Sequence, residues 1–279
     1  MKLIITIEKM RDLIQSLERI TSKNATLPIL NNIFLEVKDG ILRARATNLH
    51  VGAEYALPVK SEGEWSCAVP STTFRHILQT LPVNETLDVT FDGKTLVMKA
   101  GKAKMTLATE SADEFPTLPQ VEDADVCKIP IEVLTNGIQS VVYAASVSDI
   151  KPEIASVYLY TEGSDMVFVA TDTFRLAEKK YHLQKTIDGF QALIPARNAI
   201  EIMKLLSDVE GDVEVHYTKH QISFFSDSLY CTTRVVDGVY PDYRQILPKE
   251  FTTEMKVLKE ELVTTLKISD IFSNNIYIS

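Results

Sequence analysis

The run Ala46-Thr47-Asn48, followed by Ala53-Glu54, returns as Ala170-Thr171-Asp172, followed by Ala177-Glu178, at an offset of 124 residues. Val69-Pro70 returns as Ile194-Pro195 and Phe115-Pro116 as Tyr240-Pro241, both at 125, and Leu118-Pro119 is echoed by Leu247-Pro248. Upstream, Ile7-Glu8, Met10, Ile14 and Leu17 match Ile131-Glu132, Leu134, Ile138 and Val141, again 124 apart. Each match alone is weak, but matches kept in one order at nearly one offset mark an internal duplication. The period is far longer than that of a solenoid, so each unit is expected to be a domain with its own core.

Periodicity within a unit fixes its class. Ile7, Met10, Leu13, Ile14, Leu17 and Ile20 form one stripe of an amphipathic helix over 7–20. Residues 33–37 and 41–46 around Asp39-Gly40 read as a β-hairpin, with a further strand over 51–59. Ser71 is placed to cap a helix over 71–81 whose apolar face is Phe74, Ile77, Leu78 and Leu81. Residues 87–91 and 96–99 around Asp92-Gly93 make a second hairpin, followed by a strand over 105–109. The second unit repeats the order, with helices over 131–145 and 196–206 and strands over 156–160, 166–171, 213–217, 221–226 and 229–235. The expected class is α+β: tandem domains, each with two helices packed on antiparallel sheet. After the polar stretch Lys249–Thr253, the spacing of Leu258, Leu262, Leu266 and Phe272 repeats the opening of a unit. The expected division is therefore 1–121, 122–250 and 251–279, the last being the start of a truncated third copy.

Composition narrows the function. The 279 residues are 45% hydrophobic and 24% charged, a balance that argues against disorder. The net charge of −9 repels nucleic acid and anionic membranes as a whole, so any DNA role must come from local patterning. Cys67, Cys127 and Cys231 are an odd, scattered set without C-x-x-C, which reads as reduced thiols. The N-terminus is too quickly interrupted by charge for a signal peptide, and no apolar run approaches the roughly 20 residues of a membrane span. A cytoplasmic protein with no membrane contact is expected.

Three segments carry a resemblance: Thr26-Leu27-Pro28-Ile29-Leu30, then Ala170-Thr171-Asp172-Thr173-Phe174-Arg175-Leu176-Ala177, then Val236-Asp237-Gly238-Val239-Tyr240-Pro241-Asp242-Tyr243-Arg244 with Leu247-Pro248. In this order they resemble the bacterial DNA polymerase III beta subunit, the sliding clamp, over essentially the whole chain. The resemblance implies three like-folded domains per chain and two chains closed head to tail into a ring, with helices lining the hole. It implies duplex DNA, bound without regard to sequence, as one partner. The replicative polymerase and the clamp loader would be the others, held through short peptide motifs. When full length, the protein is expected to form a homodimeric ring closed by edge strands of units one and three; with unit three cut short, unit one is left with a reactive edge and the closed dimer is not expected.

Site residues follow from the same resemblance. A peptide cleft is implied at Ile154, Thr171, Thr173, Phe174, Arg175, Leu176, Pro241, Gln245 and Ile246, an apolar pocket with a few orienting polar groups. Phe174 follows Thr173 where relatives usually carry a small residue and then histidine. DNA-facing positions are implied at Lys23, Asn24, Arg75, Lys151, Arg197 and Lys204, with Asn24 standing where many relatives carry arginine. Sliding requires phosphate contacts without base reading, hence basic residues on helix faces opposite the apolar stripes. Helix 7–20 adds Lys9, Arg11 and Arg19 to these faces.

Catalytic signatures are missing from the sequence: no G-x-S-x-G, no phosphate loop and no G-x-G-x-x-G is present. His216 and His220 flank an expected hairpin turn, where a spacing of four does not build a metal site. No enzyme activity, cofactor or metal is expected. The competing readings are a hydrolase or transferase using the cleft between units, with Asp172 and Arg175 as polar participants, and a duplicated interaction scaffold without a DNA role.

Overall fold

The computed structural model describes residues 1–21, 27–121 and 124–273. Met1–Tyr240 form one compact unit and Pro241–Ser279 a second.

Prolines and capping residues punctuate the first unit. Helix α1 (Ile7–Glu18) is capped by Thr6, whose Oγ1 accepts the Lys9 amide at 3.4 Å. Helices α2 (Ser71–Thr80), α3 (Ile131–Val141) and α4 (Ala196–Leu206) each begin directly after a strand-ending proline, Pro70, Pro130 and Pro195. Proline cannot donate to a ladder, and its fixed φ suits a helix entry, so one residue ends a strand and starts a helix. Ser71 is accordingly not the cap but the first helical residue; its hydroxyl donates to the Asn31 carbonyl at 2.7 Å. Helix α1 ends at Glu18, short of residue 20, and α3 passes at Val142–Ala144 into a 3₁₀ turn.

All strand pairs among the described residues are antiparallel. Lys60–Glu62, Lys2–Thr6, Thr86–Phe91, Thr95–Ala100 and Ala103–Ala108 form a five-stranded sheet in that order. Leu176–His182, Asp165–Thr171, Ser156–Glu162 and Gln191–Pro195 form a four-stranded sheet. An eight-stranded sheet runs Asp125–Pro130, Asp212–Tyr217, Gln221–Phe225, Leu229–Arg234, then Val51–Pro58, Ile41–Thr47, Asn32–Lys38 and Trp65–Pro70. Half of this sheet comes from each repeat. The seam pairs Leu229 with Tyr55, Tyr230 with Glu54, Cys231 with Ala53, Thr232 with Gly52 and Thr233 with Val51.

The seam has a consequence for packing. The buried apolar residues of both repeats merge into one continuous cluster, from Leu3 and Ile14 through Ala46, Ala53 and Cys231 to Ile202 and Phe168. The separate core expected for each repeat is thereby corrected. Near the seam the Ser16 hydroxyl of α1 donates to Asp208, just past the end of α4, at 2.5 Å, and the Asn198 amide of α4 donates to Thr233 Oγ1 at 2.9 Å. Each fully buried Leu, Ile or Met on these helices contributes roughly 1.5–3 kcal/mol. Helix α3 comes so close to the sheet that a Cβ on Gly137 would lie 2.4 Å from the Phe168 ring. In the second unit, helix α5 (Lys259–Ser273) carries Leu262 and Leu266 of the third leucine pattern, both exposed, as is Leu258 just before it. No helix among the described residues is long and apolar enough to cross a membrane.

Candidate functional site

The duplicated motif that reveals the repeat builds a turn. In the second repeat, Thr171 Oγ1 donates to the Arg175 carbonyl at 2.6 Å and accepts the Thr173 amide at 3.1 Å. Asp172 Oδ1 accepts the amides of Phe174 and Arg175 at 3.0 and 2.9 Å. Thr173 has φ of +78°, a left-handed conformation that strains a β-branched residue. These bonds hold the Asp172 carboxyl below its ordinary range, first through the Arg175 amide, with the Phe174 amide and the Arg175 guanidinium assisting.

The turn sets out the cleft side chains by opposite fates. Ile154 and Thr171 are buried, Leu176 is half-buried, and Phe174 is 97% exposed. Arg175 Nε is tied to Asp172 Oδ2 at 3.0 Å, and its guanidinium lies 6.0 Å from the ring centre of Tyr143. A charged fork held over an aromatic face, beside an exposed phenyl ring and a half-buried leucine, suits a short peptide with carbonyls to satisfy and an apolar anchor. Tyr143 was not singled out by sequence, because a tyrosine just past a helix carries no local signal. Pro241, Gln245 and Ile246 fall in the second unit. There the 3₁₀ turn Tyr243–Ile246 leaves Ile246 exposed, and Gln245 Nε2 donates to Asp242 at 2.8 Å. A separate cavity is lined by other groups, including Tyr158, Gln191, Tyr217 and Asp237.

The predicted DNA-facing residues divide. Arg197, at the first turn of α4, has an 81% exposed side chain and reaches Asp149 at 3.7 Å. That contact brings Arg197 to the loop that also carries exposed Lys151. Lys204 is on the same helix, paired with Glu201 at 3.0 Å. Arg75 is heavily committed: Nε pairs with Glu18 at 2.5 Å, one terminal nitrogen donates to Gln79 at 2.8 Å, and the other meets His76 at 2.8 Å. Lys23 and Asn24 lie outside the described residues. Arg11 is corrected: it is half-buried and donates to the Leu78 and Leu81 carbonyls at 2.9 and 2.6 Å, closing the C-terminus of α2. Lys9 and Arg19 line a groove between α1, Tyr55 and Asp208.

Among the described residues no group of three or more metal-ligating side chains converges. The Cys67 and Cys127 thiols are pushed by burial up to about 12, so both stay protonated and poor as nucleophiles near neutrality.

Two family profiles match in succession: the N-terminal domain of the DNA polymerase III beta subunit over residues 1–119, and its central domain over 128–242. The chain belongs to the DNA polymerase III beta subunit family. Within that family, the beta sliding clamp of Bacillus subtilis is 28% identical over 277 residues, 95% of this chain and 73% of that protein. The beta sliding clamp of Salmonella typhimurium is 28% identical over 225 residues, 80% of this chain and 62% of that one. The crystal structure of the Bacillus subtilis DNA polymerase sliding clamp superposes with a TM-score of 0.81 at 28% identity, over 90% of this chain and 68% of that one. The chain thus spans between 62% and 73% of the length of these two curated sliding clamps. The α+β repeat architecture described above is that of the clamp fold.

Proposed function

We propose that the chain serves as a sliding clamp, a processivity factor that encircles duplex DNA and tethers the replicative polymerase, and that it acts by topology and not by catalysis. The observation that carries this reading is the ordered match of the two family domains onto two repeats joined by one continuous sheet. Residues 1–121 and 122–250 are the first two clamp domains and 251–279 the start of a third. A full-length form closes as a homodimer.

Lys151, Arg197 and Lys204 supply phosphate contacts, and Arg75 contributes by holding its helix face together. Reversing Arg197 and Lys204 to glutamate should weaken DNA retention equally on unrelated sequences and flatten the salt dependence, by about one unit of slope per lost phosphate contact. Retention unchanged by both reversals overturns the DNA face. Polymerase and loader dock by short motifs whose apolar anchor meets Leu176 while their carbonyls meet Arg175. A peptide carrying glutamine, leucine and a terminal leucine or phenylalanine should shift the amide resonances of Thr171–Leu176, and Arg175→Ala or Leu176→Ala should weaken it. Shifts confined to other elements overturn the cleft.

A further inference from the structure

We propose that the cavity where the two repeats join is a binding site for the C-terminal end of a peptide, taking a leucine-sized side chain and the free carboxylate that follows it. The cavity holds about 300 Å³, and its lining includes Leu49–Val51, Pro116–Leu118, Thr233 and Arg234. Its walls thus come from a turn of the first repeat, the connecting segment, and the last strand of the second repeat. That volume is at the small end of ligand pockets, which suits the end of a chain and not a long segment passing through.

Charge selects the ligand. The chain carries a net charge of −9, yet no Asp or Glu lines this cavity. Arg234 lines it, is exposed, and makes no ion pair among the described residues. Its backbone is tied to the turn: the His50 carbonyl accepts the Arg234 amide at 3.4 Å and the Thr233 hydroxyl at 3.2 Å. A guanidinium fixed at the rim of a pocket that holds no acid of its own is a forked receptor for a carboxylate.

The apolar half of the site is built at a cost in backbone strain. Leu49 is left-handed at φ +70°, its amide held by Thr47 Oγ1 at 3.0 Å, and its side chain is kept 50% exposed. Pro116 and Leu118 supply further apolar wall. The chain itself shows what this junction receives. Leu118 packs closely on Gly52, and the carbonyl of the next residue, Pro119, accepts from Gln221 Nε2 at 3.2 Å and from Tyr230 Oη at 2.5 Å. A leucine followed by a held oxygen is therefore already bedded here. The incoming leucine lies beside Leu118, against Leu49, and its carboxylate meets Arg234. The proposal does not rest on the cleft at Thr171–Leu176, whose residues are different, and it requires no DNA.

The test titrates the 279-residue chain with acetyl-Ala-Leu bearing a free carboxylate and, separately, with its C-terminal carboxamide, following amide resonances. The free acid should shift Leu49, His50, Thr233 and Arg234, and the carboxamide should bind about tenfold more weakly, since it offers no charged acceptor. Arg234→Gln should bring the acid down to the affinity of the carboxamide and leave the carboxamide unchanged, and Arg234→Lys should restore part of the difference. Leu49→Ser should weaken both ligands alike. Unchanged resonances away from the cavity establish that the variants fold. 4-Methylpentanoate, which has the side chain and carboxylate without the peptide group, should bind more weakly than the dipeptide. Equal binding of that acid overturns the assignment to a peptide end. Acid and carboxamide bound alike, an acid indifferent to Arg234→Gln, shifts confined to Thr171–Leu176, or no shifts at all overturn the site.

Discussion

The turn Thr47–Val51 and the turn Thr171–Arg175 are the same device in two surroundings. In both, a threonine hydroxyl donates to the carbonyl four residues on, at 3.0 Å in the first and 2.6 Å in the second. In both, an Asn or Asp side chain accepts two successive amides, His50 and Val51 in one case, Phe174 and Arg175 in the other. In both, the residue after it is left-handed without being glycine, Leu49 at +70° and Thr173 at +78°. What differs is the cover. The first turn borders a pocket shared with Pro116–Pro119 and Thr232–Arg234, and Leu118 sits so close to Gly52 that a Cβ there would come within 2.3 Å. The second turn carries Arg175 and Phe174 where the first carries Val51 and His50, and leaves Phe174 in solvent. The backbone geometry is shared: one copy of the turn is covered by the chain itself, and the other leaves Phe174 and Arg175 exposed.

The sharpest way to break the comparison is to remove the acceptor. Asn48→Ala should cost about 2 kcal/mol, because a partly buried amide loses its partner. Asp172→Ala should give a smaller fall in Tm, since water reaches its amides, while freeing Arg175 and weakening peptide binding. Equal falls would show that the cover does not matter. Next, Leu118→Ala should cost about 1–2 kcal/mol and open the pocket beside Gly52. If the two turns are equivalent, the same cleft-directed peptide should then show weak binding near Thr47–Val51 in a chemical-shift titration. Smaller again, Thr173→Gly should stabilise by up to about 1 kcal/mol by relieving the left-handed strain, and Leu49→Gly by less. The smallest effect is acid sensitivity. The Asp172 carboxyl titrates lower in the folded chain than in the unfolded one, so its contribution is complete above the ordinary carboxylate range and disappears as pH falls through the depressed value. Phe174 and Arg175 amides should therefore exchange faster in acid relative to neutral controls, while His50 and Val51, held by an amide side chain, should not.

Much of the fold was legible because hairpins and amphipathic stripes are local. Ile7 to Leu17 reads as one helical face and proves to be one. Lys2–Thr6 escaped because it runs straight into α1 with no intervening loop, and Asp125–Pro130 does the same before α3. Leu176–His182 escaped because an exposed edge strand with the run Glu178-Lys179-Lys180 shows no apolar alternation. The seam itself has no local signature at all, since its partners are distant in sequence. Among site residues, the Thr171–Arg175 turn was readable from its repeat, but the tie of Arg75 to Glu18 and the service of Arg11 at the end of α2 were not. A basic residue on a helix looks the same whether it faces phosphate or braces a neighbour.

The seam also sets a timetable for folding. The Val51–Pro58 strand is made early, yet its partner Leu229–Arg234 is the last strand of the second repeat to be synthesised. Contacts this remote raise contact order and slow the final closure. Until then a nascent chain carries half a sheet with an unpaired margin, the condition in which intermediates misassemble. Leaving the ribosome is therefore the hazardous moment for this chain, and holding the Val51–Pro58 margin covered until the second repeat arrives would be the useful service of a chaperone.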